Sequence, residues 1–180
     1  MAIEHALDWT VKAQEQAERK VLALAEHGEG MFYHASRNGT YPPTTAEWWT
    51  SGFWPGMLWL VYQRSGDPTL AARATAAEDE LARVIGDERF AELHHDVGFQ
   101  FLPTAVMRYL LTGDPTARRR GLLAAALLMS RFNPASGALE AWNGPTNRGK
   151  VIIDTMMNMR LLAAGSDLSS LRPFRRDDLG

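Results

Sequence analysis

Apolar residues recur every three to four positions through most of this chain, the period of helices that bury one face. Ile3, Leu7, Val11, Val21, Leu22, Leu24 and Ala25 trace such a stripe among charged residues and predict a helix over 3–27, stopped by His27-Gly28. The period breaks over 28–51, where SRNGTYPPTT is turn chemistry. A second helix is expected over 56–64, with Pro55 near its first turn, and a third over 68–85. Leu102, Val106, Tyr109 and Leu110 mark a fourth stripe, which tolerates Pro103 only in its first turn. Further helices are expected over 115–130 and 152–164, separated by the loop NPASGALEAWNGPTNRGK. No segment sustains period-two alternation, so the pattern reads as all-α.

A repeat organises these helices. RSGDPTLAARA (64–74) is echoed by LTGDPTARRRG (111–121). Gly66 and Gly113 can end a helix in the left-handed conformation, Asp67 and Asp114 can cap the next one, and Pro68 and Pro115 suit its first position. Each copy is therefore a tight helix–helix turn. A fainter third copy, AAGSDLSS, spans 163–170. Antiparallel hairpins joined by alternating short and long connections suggest an α-toroid or solenoid, about half of it within this chain, with a site built from the long connections on one face.

Composition narrows the function. The 180 residues suffice for one domain with a real core. The formal net charge is -2, which favours neither nucleic acid nor an anionic membrane. The absence of cysteine removes disulfides, thiolate metal sites and a cysteine nucleophile, and fits a reducing compartment. The first twenty residues carry acids and no long apolar run, unlike a signal peptide, and GMLWLVY and GLLAAALLM are too short to span a bilayer. The expected location is cytoplasmic.

Four stretches in the long connections mix polar groups with aromatics or glycines: WWTSGFWPG, HHDVGF, EAWNGP and VIIDTMMN. Asp154 lies among Val151, Ile152, Ile153, Met156 and Met157, and apolar burial would raise its carboxyl pKa toward that of a general acid. Asn158, four residues on, shares its helix face and could orient it. The plainer reading of both Asp154 and Asp96 is a helix N-cap. His95-Asp96 also matches the dyad of helical HD-type metal phosphohydrolases, for which His34 and Asp154 could nominally complete the ligands. Trp59 reads as core, whereas Trp49 and Trp142, in Gly- and Pro-flanked connections, could stack on a sugar ring. Arg118, Arg119 and Arg120 read as a solvated helix face or a helix-stabilising cluster, with no function assigned.

Together, WTSGFWPGMLWLVYQRSGDP, HHDVGFQFLPTA, SRFN, AWN and IIDTMMN, in this order and spacing, resemble glycoside hydrolase family 88, the unsaturated glucuronyl hydrolases. The resemblance covers about residues 13–162. It implies an (α/α)6 barrel of which this chain carries about half. It implies a substrate left by polysaccharide lyases, an oligosaccharide ending in a 4,5-unsaturated uronic acid. It also implies hydration of the ring's vinyl ether without a metal or organic cofactor, unlike the direct displacement of ordinary glycosidases. Carried over by motif, Asp154 protonates C4 and helps activate the water that attacks C5. Asp96 sits across the site and positions the ring or stabilises developing positive charge. His95 contacts the sugar, and Trp49 and Trp142 line the pocket, with Asn158 also at the substrate.

Family members are roughly twice as long, and the match fades after Met159. The division expected is a catalytic-domain part over 1–162 and an atypical tail over 163–180, as a shifted reading frame or an artificial end would produce. Two exposed edges of a half toroid predict self-association or marginal folding. The rival readings are a non-catalytic, sugar-binding relic of the same family and the HD-type phosphohydrolase.

Overall fold

The computed structural model describes residues 2–27 and 31–169, with side chains from Asp8's successor Trp9 onward. It is built from helices: α1 (Ala2–His27), α2 (Phe53–Ser65), α3 (Pro68–Gly86), α4 (Val97–Phe101), α5 (Met107–Thr112), α6 (Pro115–Met129), α7 (Thr155–Asn158) and α8 (Arg160–Ser169). Short 3-10 turns occupy Trp49–Gly52, Glu88–Glu92 and Pro145–Asn147. Outside the all-α reading lie a two-residue antiparallel hairpin of β1 (Phe132–Asn133) and β2 (Ala138–Leu139) and isolated bridges at Tyr33–Pro43 and Arg37–Thr40. Two residues per strand are too few to leave a period-two signal in the sequence.

Both GDPT turns form as the sequence predicts. Gly66 and Gly113 take left-handed conformations at φ 69° and 71°, and their N–H groups donate to Tyr62 O and Tyr109 O. Asp67 accepts from Thr69 N at 2.9 Å, and Asp114 accepts from Thr116 N and Ala117 N at 2.7 and 3.1 Å. The third copy does not turn. Residues 163–169 continue α8, where Gly165 lets the helix cross α6 so closely that a Cβ would stand 2.6 Å from Ala125 Cβ. Leu168 stands after Asp167 where the first two copies have proline, so nothing there breaks the helix. The tail from Ser170 lies outside the described residues.

Pro103 falls inside a longer helix than expected. The segment Leu102–Val106 is a π-helical turn joining α4 to α5. A proline lacks the N–H that an α-helical bond requires, and the wider turn absorbs the break. Thr104 Oγ1 donates to Gln100 O at 2.6 Å, occupying a carbonyl near the break. Gly56 of α2 faces this turn, and a Cβ there would meet Pro103 Cβ at 2.6 Å.

The core has two parts. Trp54, Leu58, Trp59, Val61, Leu70 and Ala74 of α2 and α3 pack with Ala25 and Tyr33. The larger part joins α3, the α4–α5 segment, α6 and α8 through Leu81, Phe101, Val106, Leu128 and Leu161. Buried Glu78 spans the same layer, paired with Arg108 at 3.1 Å and Arg120 at 2.7 Å. Arg108 also reaches the capping Asp114 at 2.8 Å. Arg120 is thus a buried-pair partner rather than part of a solvated face. Burial pushes the Glu78 carboxyl up and the two arginines oppose it. Among the described residues no helix is long and apolar enough to cross a membrane.

Candidate active site

Among the described residues four α-helices, α3, α4, α6 and α7, follow an aspartate, and these aspartates divide into two kinds. Asp67 and Asp114 have extended backbones (ψ 111° and 119°) and side chains that cap. Asp96 and Asp154 have ψ of 0° and -16°, and neither side chain caps its helix. An N-cap needs the extended region to swing its carboxylate over the first turn. Asp96 and Asp154 therefore precede α4 and α7 while their carboxylates remain committed elsewhere.

They meet at His95. The His95 N–H donates to Ala141 O at 3.2 Å, and its Nδ1 lies 2.6 Å from the same oxygen. A carbonyl only accepts, so Nδ1 carries hydrogen and Nε2 points into the site. Nε2 stands 3.0 Å from Asp154 Oδ1 in hydrogen-bond alignment and 3.3 Å from Asp96 Oδ1 out of alignment. The two carboxylate oxygens are thus no farther apart than the 6.3 Å these distances add up to. With Nδ1 spent on the carbonyl, the Nε2–Asp154 contact closes only if one proton lies in it, whether as imidazolium and carboxylate or as imidazole and acid. His94 Nδ1 approaches Asp96 Oδ2 at 3.0 Å.

Asn158 holds the two helix starts together. Its Oδ1 accepts from Phe99 N at 2.9 Å and its Nδ2 donates to Asp154 O at 3.2 Å. It is wholly buried. Both ends of its amide are spent inside the protein, so the structure does not bring it to a surface where a ligand could touch it, against the expectation of a substrate contact. Gly98 makes this approach possible, since a Cβ there would lie 2.4 Å from Asn158 Oδ1 and 2.6 Å from its Cα.

Asp154 is also not buried by its apolar neighbours. Its side chain is 39% exposed, against 10% for Asp96. The inward face of α7 carries Thr155 and Asn158, three apart, which leaves Ile153, Met156 and Met157 turned outward. Ile153 and Met156, with Val151, Met159, Met129 and Phe132, border an apolar groove of about 690 Å³. The apolar enclosure expected around Asp154 is therefore absent, and the candidate acid is defined by its contact with His95 instead.

Aromatics flank the dyad on two sides. Trp142, 37% exposed, sets its ring edge-on to His95 at 6.2 Å and lines a groove of about 720 Å³ with Arg131, Asn133, Asn143 and Arg148. Arg131 donates to Glu140 O and Asn143 Oδ1, and burial pulls its guanidinium down while Glu140 and Asp96 hold it up. Half-buried Trp49 packs with Phe53 and Phe99 at 5.8 Å each, one turn beyond Asp96. Gly52 allows that contact, because a Cβ would collide with Phe99 O at 2.2 Å. His34, 6.1 Å from Trp49 and 5.2 Å from Trp48, extends this wall.

Sequence reasoning missed Gln100. Its buried amide donates toward Ala46 O, Glu47 O, Trp48 O and Ser51 Oγ at 3.1–3.3 Å, fixing the loop that presents Trp49. A glutamine inside an otherwise apolar helix face was the available signal.

No protein-family model matches the chain. It is 36% identical over 135 residues to the unsaturated glucuronyl hydrolase of Bacillus sp. (strain GL1), covering 71% of this chain and 34% of that protein. The crystal structure of the Bacillus enzyme superimposes with a TM-score of 0.79 at 30% identity, over 91% of this chain and 44% of that one. The unsaturated chondroitin disaccharide hydrolase of Streptococcus pyogenes serotype M1 is 34% identical over 71% of this chain and 32% of that protein. A mutant of the Streptococcus agalactiae unsaturated glucuronyl hydrolase, solved in complex with dGlcA-GalNAc6S, gives a TM-score of 0.67 at 28% identity over 87% of this chain and 38% of that one. The chain thus spans about a third of the length of the curated relatives it matches, and its hairpins correspond to about half of an (α/α)6 barrel. On these grounds it belongs to the unsaturated glucuronyl hydrolases, glycoside hydrolase family 88.

Proposed function

We propose that this chain carries the hydration centre of an unsaturated glucuronyl hydrolase acting, in the cytoplasm, on oligosaccharides that end in a 4,5-unsaturated uronic acid. The observation that carries this reading is the pairing of Asp154 Oδ1 with His95 Nε2 at 3.0 Å, with Asp96 on the same nitrogen. A proton held there is available from the more exposed carboxylate, and the enol-ether carbon C4 is the atom that needs one. Addition of that proton to C4 places positive charge on C5 and the ring oxygen. The less exposed Asp96 carboxylate, across the site, stabilises that charge. Asp154, now deprotonated, takes a proton from the water whose oxygen bonds to C5. The resulting hemiketal opens, and the remainder of the sugar leaves.

Other side chains support these steps. His95 orients both carboxylates and contacts the sugar, Trp142 and Trp49 supply stacking walls, and Asn158 acts as a positioning residue between α4 and α7. Two relatives are named for chondroitin disaccharide or glucuronyl substrates, which makes an unsaturated chondroitin disaccharide the first substrate to try. Loss of the double-bond absorbance of that disaccharide, present with the native chain and absent with Asp154→Asn, is the expected result. Equal turnover by Asp154→Asn would remove the assignment. A second reading, sugar binding without turnover, is favoured by the fraction of the relatives' length present. Calorimetric binding of the disaccharide without absorbance loss would establish it.

A further inference from the structure

Beside the proton-bearing contact, the dyad leaves lone pairs unused. His94 Nδ1 and Asp96 Oδ1 are buried atoms with no hydrogen-bond partner, although His94 Nδ1 lies 3.0 Å from Asp96 Oδ2. The Asp96 side chain is nine-tenths buried. One ligating atom from each of His94, His95 and Asp96 can be chosen so that all lie within 4.8 Å of one another. The His94 and His95 rings stack at 5.4 Å, which aims both imidazoles toward the same carboxylate. His95 also has the support expected of a ligating histidine, since its Nδ1 is tied to a backbone carbonyl and its Nε2 is directed inward.

We propose that His94, His95 and Asp96 form a binding site for one divalent transition cation of the zinc, cobalt or copper type. Two imidazoles and a carboxylate are a donor set such cations accept, and calcium or magnesium, which want an oxygen shell, do not fit it. A cation about 2.0–2.2 Å from each donor draws the three groups slightly together and leaves a coordination position open toward Asp154. It takes the Nε2 lone pair that otherwise meets the Asp154 proton. Bound cation and hydration chemistry therefore exclude each other, a consequence that rests on the function proposed above, whereas the binding itself does not. The site differs from the HD arrangement, because His34 stands in the Trp48–Trp49 wall.

The test is titration of the purified chain with Zn²⁺ alone by calorimetry, with Co²⁺ followed by its visible absorption. One ion per chain is expected, weakened about 10–100-fold or more in His94→Ala and in Asp96→Asn, and unchanged in the exposed-residue control His27→Ala. Circular dichroism confirms that each variant is folded. His94 is 27% exposed and its Nδ1 has no hydrogen bond to lose, so His94→Ala is expected to fold. Absence of one-to-one binding, or equal binding by His94→Ala, overturns the site. Zn²⁺ binding that leaves disaccharide turnover intact upholds the site and counts against hydration at these aspartates.

Discussion

Replacing Gly98 by alanine tests the clamp that brings the two aspartates together. In an exposed helix, Gly→Ala stabilises by about 0.5–1 kcal/mol, because alanine loses less backbone entropy. At Gly98 the new Cβ would stand 2.4 Å from Asn158 Oδ1, 2.6 Å from Asn158 Cα and 2.8 Å from its Cβ. Rotating the amide relieves only the first of these, and the other two require α7 to move. Overpacking of this kind costs about 1–3 kcal/mol. Loss of the 2.9 Å Phe99 N–H bond orphans a partly buried donor, worth about 1–3 kcal/mol more. After the propensity gain, the net loss is about 1–5 kcal/mol, so the clash decides the sign. Urea unfolding followed by tryptophan fluorescence reads this directly. The internal control is Gly86→Ala, at a glycine with open space around its Cβ position, expected to be neutral or slightly stabilising. Because Asp154 immediately precedes α7, Gly98→Ala also shifts the His95–Asp154 contact, and a misplacement of about 1 Å costs on the order of 100-fold in rate. A Gly98→Ala protein as stable as the native chain would refute the packing argument.

Other perturbations separate the roles of neighbouring groups. Asp154→Asn, at a side chain 39% exposed, is expected to abolish turnover while shifting the urea midpoint little, whereas Asn158→Ala lowers both stability and rate. Arg120→Met leaves Glu78 with Arg108 as its cationic partner in a buried position and should lower stability in urea unfolding by less than the about 3–5 kcal/mol of a buried charge left unpaired, an effect reduced in the Glu78→Gln background. Asp114 is held below the ordinary carboxylate pKa by the Ala117 and Thr116 N–H groups and by Arg108. Its contribution is present above the unfolded pKa and lost as pH falls through the lowered folded value, so Asp114→Asn should flatten the acid limb of stability. Ile153→Lys with Met156→Lys on the exposed apolar face is expected to reduce any self-association seen by sedimentation velocity.

Local rules were readable wherever they act within a few residues. The GDPT turns carry their own Gly, Asp and Pro, and they form as written. The third copy lacks the proline, and tertiary contact with Ala125 favours helix there. The motifs named Asp96, His95 and Asp154, yet not the contact among them, because 58 positions separate the aspartates and only the packing of α7 on α4 joins them. Apolar letters around Asp154 suggested burial, but a one-turn helix shows only part of its circumference to the core. The role of Gln100 and the contact of Asn158 with Phe99 were illegible for the same reason, since those partners lie 49 to 59 residues away.

The central claim is that Asp154, in contact with His95 and beside Asp96, delivers the proton to C4. It is tested most directly by turnover of an unsaturated chondroitin disaccharide in D₂O, with the product read by proton NMR. Deuterium on a single face of C4 is expected with the native chain, and no product with Asp154→Asn. Product formed by Asp154→Asn at the native rate, or deuterium divided equally between the two faces, would contradict it.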